Sequence, residues 1–428
     1  MTARSGGFRM KSQPTVLVRM ADAGDLYLSW QWEGESGAPE VACLPEDQVV
    51  AALRRLADAL PDPAEPGGLE RALSSGAFAS IDAEYDLAQT LSRALLPARL
   101  AGQMHDLFRQ GIRPHLRVQP SPRVAQVPWE LIAPHPELRL IDIADISLLA
   151  PAAIVADPAR KAPGWAQTRE LPVVAVLDPR IPGFRADSPL GSVLGRPDNT
   201  GPLAQRISAY MAASRLVPNV SEPAAAFRRT DLDRTWLSAA LRRGVSRLLY
   251  VGHVTAAPPE SGQSENAELH LCCSTESPGF AQPTRTHRPL SAKDLLLGTH
   301  TLAAEPVAGH ELWPMPSRVA LIACESGGDL RFTEAIGLVA ALLSAGAQLV
   351  TATRWPLPTD HALHRIAGLA PDQHPLQRAI CAIDSAHEQP DPIATLADWH
   401  REQLARWRKD ATMDHSPLLW SAFATIAT

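Results

Sequence analysis

The sequence predicts an α/β protein: a mainly parallel sheet with helices on both faces, preceded by a small N-terminal β-hairpin and helix region. Three observations carry that prediction. Short apolar runs from Leu171 to Leu177, Ser246 to Val251, Val319 to Ala323 and Gln348 to Thr353 have the length and composition of strands buried on both faces. Helical periodicity lies between and after them, near Leu203 to Ala213, Leu232 to Arg243, Ala292 to Leu297, Thr333 to Leu343 and Thr359 to Leu369. That alternation is the mark of βαβ units with right-handed crossovers. Finally, two of the runs deliver a reactive side chain where they stop, His253 and Cys324, and open α/β sheets gather ligands at the carboxyl ends of their strands.

Each element follows in order. Pro14 to Met20 reads as a strand, Ala21 to Gly24 as its turn and Asp25 to Trp32 as the return strand, with Leu26, Leu28, Trp30 and Trp32 alternating onto one face. Glu46 to Leu60 places Val49, Val50, Leu53, Leu56 and Leu60 at helical spacing, and the breaker cluster from Pro61 to Gly68 reads as a linker. A second helical region spans Ile81 to Gln110, followed by a strand-like stretch from Arg113 to Val118 and then by Val127-Pro-Trp-Glu-Leu-Ile132. We therefore expect three segments: 1–78, 79–165 and a core at 166–428. Arg180 to Gly201, rich in Gly, Pro, Asp and Ser, reads as a long mobile loop. Pro258 to Glu265 and Thr275 to Arg288 flank a short strand from Glu268 to Cys273, and both would rim the crevice beyond His253.

Composition narrows the function. The chain has 428 residues, 45% of them hydrophobic, enough for a large core. A net charge of −6 without a Lys/Arg block argues against direct nucleic-acid binding. No apolar stretch is long enough to span a bilayer, and five cysteines without disulfide spacing fit a reducing cytoplasm. Phosphate-cradling, dinucleotide and zinc signatures are absent: no lysine follows a glycine, His310-Glu311 and His387-Glu388 lack a second histidine, and Cys272 and Cys273 would face opposite ways. Neither a metal nor a cofactor is expected.

What remains is a thiol and an imidazole. Most cysteines are small core hydrophobes, and a histidine after an apolar strand is commonly a hydrogen-bonded structural residue. Cys324, however, precedes Glu-Ser-Gly-Gly, where two glycines permit a tight turn and a close substrate approach. A free amide in that turn would serve as an oxyanion donor. An imidazole within reach would hold the thiol as thiolate, its nucleophilic form.

With these residues in place, the chain resembles CHAT-domain peptidases, bacterial relatives of caspases and separases. Ala323-Cys-Glu-Ser-Gly-Gly328 looks like their nucleophile motif, and Val127-Pro-Trp-Glu-Leu-Ile132 like their early signature. Glu334-Ala-Ile-Gly-Leu and Ser344 to Val350 resemble the helix and strand after the cysteine. Thr353-Arg-Trp-Pro-Leu-Pro-Thr-Asp360 is similar to the loop that follows, and His415 to Phe423 resembles the closing strand. The resemblance covers roughly residue 81 to the end, so 79–165 would be the N-terminal part of that domain. It implies a caspase-like fold in which His253 activates Cys324 for attack on a peptide bond. Backbone at Gly252, Val254 and Cys324 would form the oxyanion site. Glu325, Arg354, Trp355 and Asp360 would contact substrate, Arg354 favouring an acidic P1 residue and Asp360 a basic one. The family usually has His-Gly where this chain has His253-Val254. The implied function is a cytoplasmic cysteine endopeptidase that cuts a specific partner protein in a bacterial defence or cell-death pathway, under an upstream sensor. A non-catalytic scaffold or signal receiver, favoured by Val254, and a small-molecule acyl hydrolase are the alternatives.

Overall fold

Runs of valine, leucine and isoleucine without a polar break lose least by being covered on both faces, and the fold is organised around them. The computed structural model describes residues 13–62, 65–188, 190–258, 261–324, 326–331 and 337–428. Its strands are β1 (Thr15–Ala23), β2 (Asp25–Trp32), β3 (Glu40–Leu44), β4 (His115–Gln119), β5 (Asp145–Leu149), β6 (Val173–Leu177) and β7 (Leu216–Val217). They continue as β8 (Arg247–Val251), β9 (Val254–Thr255), β10 (Glu268–Leu269), β11 (Leu290–Ser291), β12 (Arg318–Ile322), β13 (Leu349–Thr353) and β14 (Phe423–Ala427). Eleven form one sheet in the order β3-β2-β1-β4-β5-β14-β13-β12-β8-β6-β7, and β11-β10-β9 form a small second sheet.

The four strands expected from the sequence, β6, β8, β12 and β13, are neighbours, parallel and buried at every position. Alternate residues serve opposite faces. Val174, Val176, Leu248, Tyr250, Val319 and Leu321 join one core. Ala175, Leu177, Leu249, Val251, Ala320 and Ile322 join the other.

The N-terminal hairpin extends this same sheet. β1 runs parallel to β4, β4 to β5 and β5 to β14, so the sheet passes without a break through all three expected segments. The expected turn tightens to Gly24 alone, at φ +75° between paired Ala23 and Asp25. The region from Ile81 to Gln110 is two helices, Ile81–Leu95 and Ala98–Arg109, parted at Pro97, which has no N–H to continue a helix. Within Val127 to Ile132 the chain forms a buried 3₁₀ turn at Trp129–Leu131. The expected strand from Glu268 to Cys273 shortens to β10. The helix expected at Thr333 is present as Leu338–Ser344; residues 332–336 lie outside the described residues. Among the described residues, no helix is long and apolar enough to cross a membrane, and no cluster of His, Cys, Asp or Glu could hold a metal ion.

Candidate active site

β8 and β12 are parallel and their ladder ends at the pair Val251↔Ile322, so the positions two residues beyond it lie at the same end of the sheet. They hold His253 and Cys324, on strands whose axes lie about 4.8 Å apart. The Gly252 amide donates to the Ile322 carbonyl at 3.2 Å, keeping the two chains together up to these residues. Gly252 N–H, expected at the oxyanion site, is spent on this bond.

Cys324 is half-buried. Beyond it the backbone folds onto the end of β13. Ser326 Oγ donates to the Leu321 carbonyl (2.5 Å), the Ser326 amide to Thr353 Oγ1 (3.1 Å) and the Gly327 amide to the Thr353 carbonyl (3.0 Å). The Thr353 hydroxyl in turn donates to the Ala323 carbonyl. Both backbone stretches flanking the thiol are therefore anchored.

His253 Nε2 lies 3.0 Å from the Gly191 carbonyl oxygen. A carbonyl only accepts, so Nε2 carries the proton and Nδ1 is left as the basic nitrogen. Burial lowers the His253 pKa below its ordinary value of 6.5, which favours the neutral ring at neutral pH.

The residue that holds Gly191 was missed in the sequence. Asp178 follows β6 directly, is wholly buried and has a left-handed backbone at φ 49°. Its carboxylate accepts from Ser192 Oγ (2.7 Å) and the amides of Val193 (3.2 Å) and Leu194 (3.3 Å), and pairs with Arg228 Nη1 at 3.2 Å. Arg228 Nη1 also donates to the Gly191 carbonyl at 2.9 Å. The loop expected to be mobile is thus tied at its middle to a buried charge. Three neighbouring strands, β6, β8 and β12, each deliver one such residue at their carboxyl ends: Asp178, His253 and Cys324. The signal was available, since all three directly follow or nearly follow an apolar run.

Behind His253 lies a chain of neutral imidazoles. His287 Nδ1 donates to the Cys273 carbonyl (2.8 Å), so its Nε2 accepts from His270 Nδ1 (3.1 Å), and His270 Nε2 accepts from the Thr255 hydroxyl (2.8 Å). Burial drives His270 down to about 3, and does the same to His387 (about 3) and His400 (about 4). Unfolded histidine protonates near 6.5, so between that pH and the folded values the unfolded state binds more protons and stability falls as pH falls. By pH 5 each of the three is expected to cost about 2 kcal/mol. Denaturant midpoints that stayed level from pH 7.5 to 5 would contradict this.

The expected substrate contacts separate sharply. Arg354 is buried: Nη1 donates to the carbonyls of Ser421 (2.7 Å) and Phe423 (3.0 Å), and Nη2 pairs with Glu130 Oε1 at 3.0 Å. Trp355 is fully buried, donates to the Leu418 carbonyl (3.0 Å) and stacks on Phe78. These two corrections share a reason, because side chains already committed to enclosed partners present no polar group to a substrate. Glu325 lies outside the described residues. Asp360 differs. It is half-buried, and together with Ser192, Val193, Leu194, Arg196 and Arg228 it lines a cleft of about 580 Å³. That size suits one or two side chains of an extended peptide. Burial raises the Asp360 pKa, while Oδ1 accepts from the Leu376 amide at 2.8 Å. A similar cleft of about 600 Å³ opens at the opposite, amino-terminal edge of the sheet, lined in part by Pro163, Leu241 and Met315; it shares no residue with this site.

A mainly parallel sheet carrying a cysteine and a histidine at the carboxyl ends of adjacent strands defines the class: an α/β protein with a thiol and an imidazole at one end of its sheet. The family is equally plain. The model of the CHAT domain matches residues 85–428, and the chain belongs to that family. Among solved structures, the chain is similar to the Saccharomyces cerevisiae separase–securin complex, at 10% identity with a TM-score of 0.43 in one structure and 8% with 0.38 in another. The matches cover 97% and 96% of this chain, which spans about 30% of the length of the chain matched in each. No match was found among curated proteins.

Proposed function

We propose that the protein is a cysteine endopeptidase using Cys324 as nucleophile and His253 as its base. One observation carries the reading: each of the two residues follows, by two positions, the last pair of two adjacent parallel strands. With Nε2–H committed to Gly191, His253 Nδ1 is the atom that takes the thiol proton. The thiolate adds to the substrate carbonyl carbon, and the carbonyl π pair moves to oxygen, where the amides of Val254 and Cys324 receive it. His253 then returns its proton to the departing amine, leaving an acyl-enzyme that water hydrolyses.

The substrate in this reading is a protein with a basic P1 residue. Arg354 is already neutralised by Glu130, whereas Asp360, with His374 Nδ1 3.9 Å from its Oδ2, lines the cleft together with the loop that follows Gly191. A half-buried acid with a raised pKa gains from a cation that replaces its lost hydration. Asp360→Asn, which retains the acceptor for Leu376, is expected to lower kcat/KM on an arginine-P1 fluorogenic peptide by about 10- to 100-fold, the range of one hydrogen bond to a charged group. Peptides with alanine at P1 should lose far less. Equal losses on both would remove Asp360 from the pocket.

Selective alkylation tests the dyad itself. Burial pushes the Cys272 thiol up to about 11 and Cys381 up to about 12, and Cys43 and Cys273 are raised as well. A reactive thiolate at Cys324 should therefore be modified first at pH 7. A cytoplasmic setting suits such a thiolate. A bacterial defence or cell-death role, with an upstream activator, rests on family analogy alone. The second reading, a non-catalytic signal receiver, draws on Val254 standing where the family has glycine; it predicts no preference for Cys324 over the other thiols.

A further inference from the structure

Tyr250 is wholly buried in β8, and its hydroxyl oxygen lies 2.8 Å from the carbonyl oxygens of both His253 and His270. The His253 carbonyl also accepts from the His270 amide at 3.1 Å. The phenol has one proton to share between these two carbonyls, so the His253 carbonyl accepts the His270 N–H and shares the Tyr250 O–H; that carbonyl belongs to the peptide whose other end is the Val254 N–H.

Gly252 makes room for this. A Cβ there would sit 2.8 Å from the Tyr250 hydroxyl oxygen and 3.0 Å from Cζ. Its backbone does not occupy the left-handed region, so the position needs glycine for space and not for conformation.

Peptide planarity converts the carbonyl's direction into the direction of the amide. In a trans peptide the C=O and the following N–H point opposite ways. The bond from His270 N to His253 O makes Val254↔Leu269 a non-hydrogen-bonded pair of the β9–β10 ladder. In such a pair, each residue's own N–H points away from the partner strand. The Val254 N–H is therefore turned away from β10, and what holds the His253 carbonyl sets its aim. Valine suits this extended segment better than glycine does.

We infer that Tyr250 is a positioning residue of the oxyanion site: its hydroxyl fixes the His253–Val254 peptide plane so that the Val254 amide meets the developing oxyanion. This rests on the peptidase reading above. Burial raises the phenol's pKa, so it remains a donor across the working range of pH.

Two probes on the full chain separate the possibilities. Iodoacetamide alkylates the Cys324 thiolate with loss of iodide and needs no oxyanion site. A peptide ending in argininal adds the same thiolate to its aldehyde carbon, placing the former carbonyl electrons on an oxygen that does need one. In Tyr250→Phe, the alkylation rate should stay within about twofold while argininal affinity falls by about 10- to 100-fold, short of the loss from deleting an oxyanion donor outright. Peptide turnover should lose kcat with little change in KM. Gly252→Ala should weaken argininal similarly, and adding it to Tyr250→Phe should cost little more, because both act on one contact. Unchanged argininal affinity in Tyr250→Phe overturns the inference, as does a parallel loss of alkylation and aldehyde binding. A wild-type chain whose Cys324 reacts selectively with neither probe overturns the peptidase reading itself, and this inference with it.

Discussion

Cys324→Ala is expected to abolish peptide cleavage, with a loss of at least about 10⁴-fold, while the chain remains folded. Nucleophile and base act as a unit, so removing the sulfur leaves only binding and oxyanion contacts to accelerate the reaction. His253→Ala should come close to the same loss, and the double variant should be no worse than the poorer single one. Little stability is at stake, because Cys324 is only half-buried and the turn after it is held by Ser326, Gly327 and Thr353. The wild-type pH profile gives a further check. His253 must be neutral to accept a proton, and burial lowers its pKa, so the acidic limb of kcat/KM should be centred below pH 6.5. A limb centred above 6.5 would mean that a nearby negative charge, and not burial, governs the ring. Cleavage at the wild-type rate by Cys324→Ala would end the assignment.

The central strands, with the histidine and the cysteine just past two of them, were legible because burial on both faces leaves an unbroken apolar run, and each run ended one or two residues short of its candidate group. β5, β14 and the long helices Pro375–Ala386 and Pro392–Asp410 were harder to read. β14 closes the sheet antiparallel to β13, a pairing no local pattern announces. Arg354 was misread for a related reason. An arginine in a loop beside a candidate site looks like a ligand in the sequence, and its partner Glu130 lies more than two hundred residues earlier. Asp178 was passed over because its importance is indirect: its carboxylate holds the Ser192–Leu194 loop and Arg228, and these place the Gly191 carbonyl that meets His253.

The same Glu130–Arg354 pair yields the largest expected stability effect. Both side chains are almost fully buried, at 4% and 3% exposure, and the guanidinium also satisfies two carbonyls at the start of β14. Arg354→Met removes the cation and leaves the Glu130 carboxylate enclosed without a counter-charge, which typically costs about 3–5 kcal/mol. Glu130→Gln should cost less, because a glutamine oxygen can still accept from Nη2 although the arginine loses its neutralising partner. Pairing Glu130→Gln with Arg354→Met removes both charges, so the double variant should be less destabilised than the two single changes added together, since neither ion is left alone. Denaturant midpoints for the three variants and the wild type measure that coupling. The pair joins the Trp129–Leu131 turn to the loop that opens with Arg354 and ends at Asp360, and the Gln126 side chain bonds the Arg354 carbonyl at 3.0 Å. Strict additivity would mean that the two ions are solvated independently of each other, and the early Pro-Trp-Glu-Leu segment would then lose its physical connection to the cleft.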